Sequence, residues 1–197
     1  MQPRAARVRE RWTDSAHRLG PLTSESVKGW YPASGIENPE HRATGMQQES
    51  VIVHTLYTIG YERTDLDTFI AALQRASVAT VIDVRASPHS RRREFAFKHL
   101  ARELPGAGIG YESWPVLGAP QAAREAAKAG DAQRFYQLYT SHLEGPKTQD
   151  ALHSLAERAA TEAIALLCYE RDPAECHRLL IAERLERSHE LASHHLA

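Results

Sequence analysis

The chain has 197 residues, of which 42% are hydrophobic and 25% are charged, and its formal net charge at pH 7 is -1. This length predicts one globular domain with some excess sequence, and no apolar run approaches the length of a membrane span. The near-neutral charge excludes a strong overall attraction to nucleic acid or to an acidic membrane, although a local basic patch can still bind one. Two cysteines and an N-terminus without a signal-peptide pattern predict a cytoplasmic protein with free thiols.

Residues 1–50 differ in composition from the rest of the chain. Five arginines occur from Arg4 to Arg18, and glycine, proline, serine and glutamate follow without a regular apolar pattern. A segment of this kind buries too little apolar surface to fold alone. We therefore expect a flexible or loosely packed extension at residues 1–50 and one α/β domain at residues 51–197.

The domain begins with a predicted strand, helix and strand. Residues 55–60 are a short apolar strand, and Thr64 or Asp65 can cap the helix that follows. The helix has apolar residues at 3.6-residue spacing from Leu66 to Leu73, and residues 79–84 form the second strand. This order predicts a right-handed βαβ unit with parallel strands.

The rest of the chain continues the alternation of strands and helices. Such alternation predicts an α/β layered domain with a mainly parallel sheet flanked by helices. The predicted elements are a loop at 85–94 and a helix after it, a short strand at 109–111, a loop at 114–120, helices at 121–129, 131–142 and 148–160, a strand from Ala163, a final helix at 173–187 and an edge strand at 191–196.

Reactive side chains are densest where the strand from Ala163 meets the final helix. The apolar run stops in Cys168-Tyr169-Glu170, and Asp172 and Pro173 then favour a helix start that places Cys176-His177 in the first turn. Ligands of parallel sheets gather at the carboxyl ends of the strands. If the strand that ends in Asp83 is a neighbour of this one, Asp83, Arg85, Cys168 and Glu170 share one crevice and the two carboxylates converge.

Several short motifs match those of a known family in content and order. They are Thr58-Ile59-Gly60-Tyr61, Asp83-Val84-Arg85 with Pro88 and Ser90, Tyr111, Leu117-Gly118, Cys168-Tyr169-Glu170 and Cys176-His177-Arg178. On these residues the chain resembles the domain of unknown function 488 family, from about Thr55 to the C-terminus. The resemblance implies a compact α/β unit and favours a role in nucleic-acid transactions and DNA damage repair. The run Arg91-Arg92-Arg93 is richer in arginine than the family pattern, which favours anion binding.

The leading hypothesis is a DNA repair enzyme that acts on alkylated or crosslinked DNA and excises a modified base by hydrolysis of the N-glycosidic bond. Such a reaction needs a carboxylate to activate water or to stabilise a positively charged sugar, and the candidates are Asp83 and Glu170. A flipped base and its flanking phosphates need stacking rings and cationic or polar contacts. The candidates are Tyr61, Arg85, Ser90, Arg91, Arg92, Arg93, Tyr111, Trp114, Cys168, Tyr169, Cys176, His177 and Arg178. The predicted partner is a damaged duplex or a flipped base, with no membrane partner and no cofactor or metal, and the oligomeric state stays open.

Other interpretations stay open beside this one. A cysteine at a strand end allows a rhodanese-like sulfur-transfer enzyme, although Cys168 lacks the glycine-rich loop of such a nucleophile and has Glu170 beside it. A non-enzymatic DNA-binding module also fits. Cys168, Cys176 and His177 do not follow the usual zinc spacing, and no fourth ligand is evident. Asp83 and Arg85 can also form an internal ion pair.

Overall fold

The computed structural model describes residues 54–189 and 191–196, so the predicted extension at residues 1–50 lies outside the described residues. The described residues form a five-stranded sheet in the order β3-β2-β4-β1-β5, and all its strand pairs are parallel. This confirms the predicted α/β fold. The strands are β1 (His54–Gly60), β2 (Thr80–Asp83), β3 (Gly110–Ser113), β4 (Ile164–Cys168) and β5 (Leu191–Leu196).

Six α-helices flank the sheet in the described part of the chain. None of them is both long and apolar enough to cross a membrane. The first starts where the sequence predicts, because the Asp65 carboxylate accepts the backbone N–H of Thr68 at 2.7 Å. The helices are α1 (Leu66–Arg75), α2 (Phe97–Gly106), α3 (Gln121–Lys128), α4 (Ala132–Leu143), α5 (Pro146–Ala159) and α6 (His177–Ser188).

Strand β4 is the centre of the sheet although it comes late in the chain. It pairs with β1 on one side and with β2 on the other. All five of its residues are buried, which explains their continuous apolar pattern. The predicted parallel direction of β1 and β2 is correct, but β4 lies between them, so the two strands are not hydrogen-bonded neighbours.

The sheet separates two apolar cores. On one face, which we call the α1/α2 face, Ala165 and Leu167 of β4 pack with residues of α1 and α2 such as Phe69 and Leu100. On the other, the α3–α6 face, Ile164 and Leu166 pack with buried residues of the remaining four helices. Successive side chains of β4 therefore point alternately into the two cores, as the period of a strand requires.

The chain reaches the last helix differently from the prediction. Residues Pro173–Glu175 form a short 3₁₀ turn, and α6 begins only at His177. Asp172 still caps the turn, since its carboxylate accepts the N–H of Ala174 at 3.0 Å. Cys176 has an extended backbone and is the N-cap of α6, so the predicted helix start at residue 173 is wrong by one turn.

A substitution at Gly60 can test how closely β1 approaches the turn after β4. A Cβ atom at Gly60 would lie 1.8 Å from the backbone oxygen of Glu170, so an alanine there must displace the backbone. We expect Gly60→Ala to lower the free energy of unfolding by roughly 1–3 kcal/mol or more, measured by urea denaturation. Gly106→Ala is the matched control, because no atom lies within 4 Å of its added Cβ. Equal stability of the two variants would contradict the close approach.

Candidate functional site

Two polar clusters lie at the carboxyl edge of the sheet, one on each face. Asp83 is paired in register with Leu167, and its side chain shares the α1/α2 face with Tyr61. Cys168 is the next residue after Leu167, so its side chain points to the α3–α6 face. The strands are neighbours as expected, but the predicted convergence of Asp83 and Glu170 is wrong, because the sheet lies between them.

The cluster on the α1/α2 face is a closed network around Asp83. This carboxylate has no exposed surface, and it accepts Nε–H of Arg85 at 2.8 Å and the hydroxyl of Tyr111 at 2.6 Å. Arg85 also donates to the hydroxyl of Tyr61 and to the backbone oxygen of Phe95, both at 3.0 Å. Asp83 and Arg85 therefore form an internal ion pair, which was one of the interpretations that the sequence left open.

The electrostatics of this network favour its charged form. Burial would lower the pKa of Arg85, but the carboxylate of Asp83 raises it above the ordinary arginine value. Burial and the same carboxylate raise the pKa of Tyr111. Tyr111 therefore stays protonated and continues to donate its hydrogen bond. The network ties β2 to β3 and to the loop after β1, and both oxygens of Asp83 already have donors.

Replacing the carboxylate of this network should destabilise the fold. Asp83→Asn leaves the buried guanidinium of Arg85 without its counter-charge, and removing one partner of a buried pair costs about 3–5 kcal/mol. The loss in the free energy of unfolding is measured by urea denaturation. The control is Asp67→Asn, which replaces an exposed carboxylate in the first turn of α1. A loss of less than about 1 kcal/mol, typical of an exposed ion pair, would contradict the structural role.

The cluster on the α3–α6 face, which we call the thiol cluster, consists of Cys168, Glu170, Cys176 and His177. Their ligand atoms all lie within 4.8 Å of one another. The Cys168 thiol donates to the Glu170 carboxylate at 3.1 Å, and its sulfur lies 3.6 Å from Nδ1 of His177. The Cys176 sulfur lies 3.8 Å from the same nitrogen. The end of β4 and the start of α6 thus bring four reactive groups together.

The imidazole of His177 is held in one orientation. Its Nε2–H donates to the backbone oxygen of Val84 at 2.8 Å, and the edge of its ring meets Tyr139 with the ring centres 5.3 Å apart. Since a carbonyl only accepts, Nε2 carries a proton and Nδ1 faces the two sulfurs. The chain just after β2 therefore orients a side chain at the start of α6.

The pKa values of the two cysteines in the thiol cluster are shifted in opposite directions. Burial alone would raise the pKa of Cys176, but a hydrogen bond with Cys168 and the positive charge of His177 bring it well below its ordinary value. A hydrogen bond with Cys176 and burial raise the pKa of Cys168 well above the ordinary value. Burial and the charge of Cys176 raise the pKa of Glu170 to about 7. The neighbouring charge that raises the pKa of Glu170 is thus a thiolate and not a second carboxylate.

Arg178 supports the turn that follows β4. It is fully buried, and its guanidinium donates to the backbone oxygens of Glu170 and Arg171 and to the hydroxyl of Thr58. These contacts fix the backbone on which the Glu170 side chain stands. The sequence predicted that Arg178 contacts the DNA substrate. Its guanidinium is turned inward instead, so it is not placed to hold a phosphate.

An exposed surface lies over the same edge of the sheet. Tyr169 is 46% exposed, and its ring meets that of Tyr61 edge-on at 5.3 Å. The N–H of Glu62 donates to the backbone oxygen of Tyr169, which joins the loops after β1 and β4. Exposed arginines occur in these two loops and in the loop after β2. Together with Tyr169 they form what we call the tyrosine–arginine surface, and its cations are Arg63, Arg91, Arg93 and Arg171.

The other predicted contact residues have internal partners. Tyr61 is buried and stacks on Phe95 with the ring centres 4.4 Å apart, so it supports the surface from below. Ser90 accepts from the hydroxyl of Tyr61, and Arg92 pairs with Glu94 and donates to the backbone oxygen of Tyr61. Trp114 donates to Glu112. Within the arginine run, only Arg91 and Arg93 remain exposed.

Sequence reasoning did not identify Val84 and Tyr139, which orient His177, or Arg63, which joins the surface. A backbone acceptor leaves no sequence signal, because any residue at position 84 has the same carbonyl. Tyr139 was predicted only as part of an apolar stripe. Arg63 has a positive φ of 60°, a feature of the turn after β1 that its residue type does not indicate.

The fold and the site together define the class of this protein. It is a parallel α/β domain with a thiol–carboxylate–imidazole cluster at the carboxyl end of its central strand. The family profile described as "Domain of unknown function DUF488" matches residues 65–185, which is more than half of the 197 residues. The chain therefore belongs to the DUF488 family, as its motifs predicted. Searches of curated proteins and of solved structures found no match.

Proposed function

We propose that the protein is a DNA repair enzyme that binds damaged DNA at the tyrosine–arginine surface and excises a modified base by hydrolysis, with Glu170 as the reacting carboxylate. The observation that carries the proposal is the position of Tyr169. Its exposed ring stands between the thiol Cys168 and the carboxylate Glu170 in sequence, at the edge where the exposed arginines gather.

The composition of the surface supports binding to DNA. An exposed tyrosine can stack on an unpaired base, and the guanidinium groups of Arg91 and Arg93 can hold the flanking phosphates. Hydrogen bonds join the three loops, including one from the Arg92 guanidinium to the backbone oxygen of Tyr61 at 3.1 Å, so the loops that carry the exposed arginines lie side by side. A local patch of this kind is compatible with the near-neutral charge of the whole chain.

The state of the two predicted catalytic carboxylates supports Glu170 as the reacting group. Both oxygens of Asp83 are bound to donors of its own network, and the residue has no exposed surface. Glu170 is only partly buried, and its carboxylate accepts a hydrogen bond from the thiol of Cys168 at 3.1 Å. It is therefore the carboxylate that can activate water or stabilise a positively charged sugar.

Binding is tested by neutralising the surface. Tyr169→Ala should weaken binding to an alkylated duplex by about 1–3 kcal/mol for one lost stacking contact. The double variant Arg91→Ala with Arg93→Ala should reduce the logarithmic salt slope by about 1.8, since each phosphate contact contributes about 0.9. Both are measured by fluorescence anisotropy on labelled duplexes with and without alkylation.

Matched controls come from the helices α3 and α4. Among the residues that the structure describes, Tyr136 is the second exposed tyrosine, at 44%, and Arg124 and Arg134 are exposed arginines of equal charge. Tyr136→Ala and the double variant Arg124→Ala with Arg134→Ala should bind DNA as the original protein does. If they weaken binding as much as the surface variants, the attraction is general charge and the assigned surface is incorrect.

The chemistry is tested with Glu170→Gln. This variant should bind the alkylated duplex normally but produce no alkali-labile strand breaks, while Glu175→Gln, an exposed carboxylate five residues later, should retain activity. Binding without strand breaks by the unaltered protein would identify a DNA-binding module. Sulfur transfer from a persulfide donor, with no action on DNA, would instead support the rhodanese-like alternative.

A further inference from the structure

We infer that the thiol cluster is a zinc site in which Cys168, Cys176 and His177 are the permanent ligands and Glu170 is a fourth ligand that can leave the ion, so that its carboxylate stays available for the proposed reaction. The inference stands on the geometry of these four side chains and does not rest on the proposed function. A metal was not expected from the sequence, because the spacing was unusual and no fourth ligand was evident. The structure supplies that ligand by placing Glu170 beside Cys168.

The donor set matches the chemistry of zinc. Two sulfurs, one imidazole nitrogen and one carboxylate oxygen form the mixed soft and borderline set that zinc binds in tetrahedral sites. Both cysteines are free and buried, so neither is used in a disulfide. If both cysteines bind as thiolates, they and the carboxylate place three negative charges in one buried place, and a divalent ion at their centre offsets two of these charges.

The distances between ligand atoms fit one ion. With zinc–sulfur bonds of about 2.3 Å and a zinc–nitrogen bond of about 2.0 Å, a tetrahedral centre separates sulfur from nitrogen by about 3.5 Å. The sulfurs of Cys168 and Cys176 lie 3.6 and 3.8 Å from Nδ1 of His177. The thiol hydrogen bond from Cys168 to Glu170, at 3.1 Å, is the contact that bound zinc would replace.

The surroundings orient the ligands as metal sites require. A metal-binding histidine usually donates its other ring N–H to a carbonyl or carboxylate, and His177 donates to the oxygen of Val84 at 2.8 Å. Val84 is itself held by its N–H bond to the oxygen of Leu167 in β4. Three anionic ligands around a divalent ion leave one negative charge, and the buried guanidinium of Arg178, which donates to the backbone oxygen of Glu170, is a positive charge that can offset it.

The local backbone explains how adjacent residues can share one ion. Cys176 is extended, with φ of -129° and ψ of 141°, while His177 is the first helical residue. The change of conformation between them lets both side chains face the end of β4. The turn between Cys168 and Cys176 closes the gap of eight residues, so the site depends on the fold and not on a compact sequence motif.

Zinc binding is tested on the full chain without DNA. The protein is dialysed against a chelator, reloaded with zinc or cobalt(II), and its metal content is measured by mass spectrometry. We expect about one zinc ion per chain, and the cobalt(II) form should show thiolate charge-transfer absorption and the intense visible bands of a tetrahedral centre. A reloaded protein without bound metal, or a cobalt spectrum without thiolate bands, would overturn the inference even if no variant could be prepared.

Variants then identify the ligands. Cys176→Ser and His177→Asn should each reduce zinc affinity by at least about tenfold, whereas Glu170→Gln should keep the metal through the three remaining ligands. The control is the double variant His153→Gln with His189→Gln, a separate histidine pair with ring centres 6.4 Å apart, and it should bind zinc normally. Loss of zinc only in that control would place the metal elsewhere. Because Glu170→Gln keeps zinc but should lose activity on DNA, the zinc site and the proposed reaction can fail independently.

Discussion

The two faces of β4 impose the main constraint on this structure. A strand at the centre of a parallel sheet is covered on both sides, and its side chains must alternate between the two cores. Where the strand ends, the same alternation sends Cys168 and Glu170 to one face and Tyr169 to the other. The reactive thiol cluster and the stacked aromatic groups are therefore separated by one residue in sequence and lie on opposite sides of the carboxyl edge of the sheet.

Both clusters use buried arginine as a structural device. Arg85 neutralises Asp83 and joins β2 to the loops around it, while Arg178 binds the backbone oxygens of the turn after β4. A planar guanidinium can satisfy several acceptors at once, which suits a place where loops converge and leave carbonyl groups without strand partners. The polar residues at the carboxyl edge thus divide into those that hold the loops and those that face a ligand.

Much of the fold could be predicted from the sequence, because burial and secondary structure leave local signals. The strands at β1, β2 and β4, the cap at Asp65 and the edge strand β5 all follow from apolar pattern and turn residues. The relation of Asp83 to Glu170 could not be predicted in the same way. A register difference of one residue moves a side chain to the opposite face, and that register is set by pairing between distant parts of the chain.

The candidate site was predictable in content but not in geometry. The residue types around Cys168 and Cys176 indicated reactivity, yet whether Glu170 meets the sulfurs depends on the 3₁₀ turn and the delayed start of α6. The exposed or buried state of each arginine depends equally on tertiary contacts. Arg91 and Arg92 are adjacent and chemically identical, and they are distinguished by the contacts of Arg92 with Glu94 and with the backbone oxygen of Tyr61.

The position of β4 also has a consequence for how the protein is synthesised. Strands β1 and β2 leave the ribosome more than eighty residues before β4, the strand that must lie between them. Until then, neither strand has its central partner, and the open strand edges and the apolar residues of α1 and α2 are without their main packing surface. Folding of the sheet therefore waits for nearly the whole chain, and the nascent protein depends on slow, long-range pairing during the period when it is most open to aggregation.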